Sequence, residues 1–160
     1  MLKYVDVKIV MAEVPNEITL AINISNCPCH CEGCHSSYLE KDIGELLTSS
    51  SLEKLINSNT GISCVAFMGG DSNPSEINNL AKSIKELHKN LKVAWYSGRS
   101  FIAEDIELQH FNFIKIGPYK KDCGPLTEST TNQRFYRIDK DDIGGYTLTD
   151  ITSLFYDKNI

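Results

Sequence analysis

The stretch CPCHCEGCH, from Cys27 to His35, holds four of the six cysteines in a chain of 160 residues. With Cys29 set aside, the others fall at Cys27, Cys31 and Cys34, a C-x3-C-x2-C spacing. Three thiolates can hold three irons of a 4Fe-4S cube, which leaves the fourth iron open to a substrate. Zinc is the rival occupant. A structural zinc site takes four ligands, and Cys29, His30 or His35 could complete it. The usual zinc ribbon or finger has a second ligand pair farther along the chain. Here Cys64 starts an apolar stretch, Cys123 sits in a loop, and His88 and His110 are isolated from one another. Disulfides fit poorly, because neighbours such as Cys29 and Cys31 are too close for an unstrained bridge. Clustered thiols in a reducing compartment are more often metal or redox ligands.

The elements around the loop decide what else can reach it. TLAINIS, residues 19–25, is a β-rich run stopping at Asn26, so the cysteines lie beyond the C-terminal end of a strand. SLEKLINSN from Ser51 puts Leu52, Leu55 and Ile56 at helical spacing behind serines that can cap it. Cys64 to Met68 reads as a buried strand ending in Gly69-Gly70-Asp71, and residues 74–90 as a helix with Pro74 in its first turn. A strand over 91–98 ends in Ser97-Gly98. A short helix is expected over 103–109, then strands from Phe111 and over 134–139. Residues 2–13 suit an edge strand or hairpin, and the segment from Asp141 has no clear assignment. Strands alternating with helices imply parallel βαβ units with right-handed crossovers. The cysteine loop, the glycine turn and Ser97-Gly98 are then expected at one sheet edge, where α/β proteins bind ligands.

No repeat, low-complexity tract or linker interrupts the chain, so residues 1–160 are expected to form a single domain. A formal charge of -5 gives no general attraction to nucleic acid or an anionic membrane. The opening alternates charged and apolar residues, unlike a signal peptide, and no run has the length of a membrane helix. A cytoplasmic location is expected.

C-x3-C-x2-C after a first strand, with Met68-Gly69-Gly70-Asp71 after the second, resembles the radical S-adenosylmethionine enzymes. Glu32-Gly33-Cys34 is similar to the Pro-Gly-Cys of the anaerobic (class III) ribonucleotide reductase activating proteins. GGDSNPSEI, KVAWYSGR and IGPYKKDCGPLTESTTNQRFY resemble further segments of that branch. The likeness covers residues 19–139. It departs at Val14-Pro15-Asn16-Glu17, at Ser72-Asn73 and at Ile116.

This resemblance implies an α/β fold, a partial (β/α) barrel with a mostly parallel sheet, shortened relative to a full TIM barrel. It implies that Cys27, Cys31 and Cys34 bind a 4Fe-4S cluster whose open iron receives S-adenosylmethionine. Gly69, Gly70 and Asp71 would hold the methionine portion, Gly33, Cys34 and His35 would lie beside the adenine, and Ser97 would bond the ribose or carboxylate. The implied activity is reductive cleavage to a 5'-deoxyadenosyl radical that makes a glycyl radical on the reductase. The implied partners are the reductase large subunit and an electron donor such as flavodoxin or ferredoxin. Two other readings compete: an activase of another glycyl radical enzyme of the formate-lyase type, which an aromatic residue before Cys34 would have favoured, and a non-enzymatic zinc or iron-sulfur module.

Cys29 is expected to stand aside from the cluster, Cys64 to be a core residue and Cys123 an incidental thiol. Trp95 and Tyr96 read first as strand packing. His88 and His110 are expected to be packed or solvent-facing, and Gly144-Gly145-Tyr146 is not expected to be a radical site.

Overall fold

The computed structural model describes residues 1–157, so the last three residues of the expected domain lie outside it. Its strands are β1 (Lys3–Val10), β2 (Thr19–Ile24), β3 (Glu45–Leu46), β4 (Cys64–Met68), β5 (Lys92–Tyr96), β6 (Phe113–Ile116), β7 (Arg134–Lys140) and β8 (Tyr146–Asp150). They form one eight-stranded mixed sheet in the order β3-β1-β2-β4-β5-β6-β7-β8. The central strands β2, β4, β5 and β6 run parallel. On one side β1 pairs antiparallel with β2 and with β3; on the other, β7 pairs antiparallel with β6 and with β8.

This corrects the expected partial barrel. A (β/α) barrel needs a helical crossover after each strand, and the described residues hold only two α-helices, α1 (Ser49–Ser58) and α2 (Pro74–Leu87). The segment expected to be helical over 103–109 keeps only a 3-10 turn, Leu108–His110. Its Ala103 and Ile106 are instead buried in the core through a turn. After β6 the chain returns antiparallel through residues 117–133, which ends the run of crossovers and leaves an open sheet.

Alternation along the parallel strands divides the core into two layers. Ile22, Phe67, Trp95 and Ile114 are aligned across the sheet and face the helices, whose Leu52, Ile56, Ile77, Leu80 and Ile84 complete that layer. The opposite face carries the aligned row Ala21, Ala66, Ala94 and Phe113. Over it lie Val14, Leu126 and Phe135, from loops and the antiparallel edge. Burying each large aliphatic side chain of the helix layer contributes about 1.5–3 kcal/mol.

Local chemistry fixes the helix starts. Thr48 caps α1 in a reciprocal box with Ser51. Asn73 caps α2, accepting from the Glu76 N–H at 3.2 Å, with Pro74 at the first helical position. Asn73, one of the two residues inserted between Asp71 and Pro74, is thus the cap that starts the helix.

Gly70 joins β4 to α2 at φ +92, and a Cβ there would lie 2.5 Å from Cδ1 of the buried Ile77. Replacing Gly70 by Ala should destabilise the fold by about 1–3 kcal/mol, read as a lower urea midpoint with an unchanged m-value.

Candidate functional site

The loop after β2 is stitched at its ends before it presents any thiol. Asn26 N–H donates to Lys41 O at 3.0 Å and Cys27 N–H to Leu39 O at 2.9 Å, which pins the start of the loop to the returning chain. Asn26 and His30 take left-handed φ values of 59° and 46°. The last turn closes with Cys34 N–H on Cys31 O at 3.2 Å, and Ser36 N–H points at Cys34 Sγ at 3.4 Å. His30 lies 3.2 Å from Glu40 and is mostly exposed.

A cavity of about 180 Å³ lies at the C-terminal ends of the parallel strands. Cys27, Cys31 and Cys34 line it from the loop, Gly69 and Asp71 from the turn after β4, and Ser97 and Gly98 from the turn after β5. Lys115, on β6, also lines it. Cys29 does not. Its Sγ lies 3.8 Å from Asp71 Oδ2, and a Cβ on Gly98 would come within 2.6 Å of that sulfur. Burial first, then the charge of Asp71, pushes the Cys29 thiol up to about 12.

Asp71 ties the turns together. Its carboxylate is 2% exposed; Oδ1 accepts from Ser97 Oγ at 2.6 Å and Oδ2 from Gly98 N at 2.8 Å. Arg99 adds Nη2 to the Asp71 carbonyl at 2.9 Å and brings Nε within 3.6 Å of Oδ1. Gly69, at φ +101, accepts the Trp95 indole N–H at 2.8 Å. The donor set of the cavity fits a cube: three thiols from one loop, with polar groups from three strand ends around them. Among the described residues no group of three or more His, Cys, Asp or Glu is placed to hold a single metal ion.

Residues 18–138 match the family described as a 4Fe-4S single cluster domain. The chain belongs to that family. No curated protein and no solved structure matches it. No described helix of this 4Fe-4S domain is long and apolar enough to cross a membrane.

Of the residues that sequence singles out, the fold brings Cys27, Cys31, Cys34, Gly69, Asp71 and Ser97 to one cavity. Gly70 faces Ile77 in the core instead. Gly33, at φ +75, packs on Tyr119, where a Cβ would lie 3.5 Å from the ring. His35 also meets Tyr119, with ring centroids 5.9 Å apart. It lines a second cavity of about 420 Å³ that shares Cys34, Ser36, Met68 and Tyr96 with the first. Trp95 is fully buried, whereas Tyr96 stands between the cavities and donates its hydroxyl to Glu13 O. Cys64 is fully buried, and burial pushes its thiol up to about 12. His88 pairs with Glu53 at 2.7 Å, and the buried His110 lies beside Glu107.

Lys115 escaped the sequence reading. It is 8% exposed, and its Nζ donates to Ser97 O at 3.1 Å and Gly117 O at 2.9 Å. The signal was present: a lone lysine in the apolar run FIKI must be satisfied inside the fold or turned out of it. Burial pulls its pKa from 10.5 down to about 8, while Asp71, Cys31, Cys29 and Cys34 act in the opposite direction. A lowered folded value means that the unfolded chain binds the extra proton between these two pH values, so stability rises with pH across that window. In the iron-free 4Fe-4S domain, the stability of Lys115→Met relative to the parent should therefore fall by about 3 kcal/mol from pH 8 to 10.5, measured by urea unfolding.

Proposed function

We propose that this 4Fe-4S domain is a radical S-adenosylmethionine activase that generates the glycyl radical of an anaerobic ribonucleotide reductase. The observation that carries the reading is the division of the loop, in which Cys27, Cys31 and Cys34 line the cavity and Cys29 does not. Ligation by three thiolates leaves one iron of a cube for an exogenous ligand. When bound, the cube supplies the electron that cleaves S-adenosylmethionine to methionine and a 5'-deoxyadenosyl radical.

The chain's own part is to bind, orient and exclude water. The Gly69 carbonyl spends one lone pair on Trp95 and keeps another for the methionine ammonium. Lys115 has two N–H groups on backbone carbonyls and a third for the methionine carboxylate. Asp71 and Ser97 bond each other, so on this reading they set the shape of the cavity wall around that group. The larger cavity beside Cys34, with His35 on its wall and Gly33 packed on the neighbouring Tyr119, has room for the adenosine and an approaching peptide segment. The large subunit of the reductase and an electron donor of the flavodoxin or ferredoxin type are the partners this chemistry requires.

The test is anaerobic reconstitution with iron and sulfide, reduction, addition of S-adenosylmethionine and detection of methionine with 5'-deoxyadenosine. Cleavage is expected from the parent chain, and mixing with the reductase should give a glycyl radical in electron paramagnetic resonance. Cys31→Ala should lose the cluster and Cys29→Ala should keep it. A full cluster with no cleavage sinks the activity, and cleavage without a radical on the reductase sinks the choice of partner.

A further inference from the structure

The spacer between Cys27 and Cys31 contains one side chain that the cluster reading leaves without a task. Cys29 stands at its midpoint, and its Sγ approaches Asp71 Oδ2 at 3.8 Å, within range of a sulfur donor. Its seat is built to size. A Cβ on Gly98 would lie 2.6 Å from the sulfur and 3.2 Å from the cysteine's own Cβ, so only a glycine leaves room for it.

The oxygen that Cys29 approaches also accepts the Gly98 N–H at 2.8 Å, while the other oxygen of Asp71 accepts the Ser97 hydroxyl at 2.6 Å. One buried carboxylate therefore meets three segments: the cysteine loop, its own turn after β4 and the turn after β5. No other side chain of the spacer makes such a contact. Pro28 has no polar side chain, and His30 turns to Glu40.

We propose that Cys29 is a positioning residue: by donating to Asp71 it fixes the middle of the loop, and with it the directions of the Cys27 and Cys31 thiols that flank it. The inference rests on the function proposed above and assigns a role to the one loop cysteine that this function does not use. Fixing the midpoint of a three-residue spacer constrains both of its ends. The contact also links the cluster ligands to the turns that would hold S-adenosylmethionine, so its loss acts on the cluster and on ligand binding together.

The chain should survive the change that tests this, because without the thiol Asp71 still accepts from Ser97 and Gly98 and stays satisfied. Parent, Cys29→Ala and Cys29→Ser proteins are reconstituted and assayed for iron and sulfide. Each is then reduced, and its electron paramagnetic resonance is followed as S-adenosylmethionine is added. All three should hold equal iron and sulfide. The alanine variant should give an altered line shape and need about three- to tenfold more S-adenosylmethionine for the half-maximal spectral change. The serine variant, which keeps a donor, should return to within about twofold of the parent.

Loss of iron from the alanine variant would make Cys29 a ligand and overturn the proposal. So would an alanine variant matching the parent in line shape and titration, or a serine variant behaving like alanine. A parent chain that takes up no cluster removes the proposed function and this inference together. A parent that takes up the cluster but ignores S-adenosylmethionine removes only the activity, because the line shape still reads the loop.

Discussion

Taking a carboxylate out of water costs several kcal/mol unless donors replace the water, and the arrangement of this protein turns on how that cost is met at Asp71. Asp71 belongs to the turn after β4, yet its donors come from Ser97 and Gly98 in the turn after β5. The two strands must end level for this to work, which the parallel register from Cys64↔Lys92 to Met68↔Tyr96 provides. The cysteine loop then has a fixed wall to fold against. Lys115 closes the far side, holding Ser97 O and Gly117 O so that the β5 and β6 ends stay together. A positive charge within this wall also offsets the thiolates and Asp71 that face it.

Much of the site was legible because it depends on strand order. Four apolar runs, each ending in a polar or glycine-rich turn, are enough to bring the turns to one edge once the connections are right-handed. The parallel strands β2, β4, β5 and β6 obey that rule, and the cavity lies where it puts it. Helix α2 was legible from Ile77, Leu80, Ala81 and Ile84 at one helical period, all of which are buried.

The barrel was not legible, because closure depends on what happens after the shared core. Residues 103–109 have apolar residues at helical intervals, but the chain buries Ala103 and Ile106 through a turn and needs no helix to do so. Past Ile116 the strands alternate in a way that suits antiparallel pairing equally well, and β7 and β8 take that course. Strand direction is set by the connection, and a seventeen-residue loop without a helix carries no mark of it. Lys115 was missed for a related reason. A lysine in a strand reads as an outward position unless the loops that bury it, ending in Gly98 and Gly117, are known in advance.

The row Ala66 and Ala94 on the sheet face away from the helices has a consequence for the larger cavity. Leu126 packs in the same layer as these alanines and also forms part of the wall of that cavity. Two methyl groups set how deeply Leu126 can sink, so the cavity's capacity is determined partly by residues that never meet its contents. A bulkier side chain in the row would raise the floor and shrink the space from below, with every lining residue unchanged.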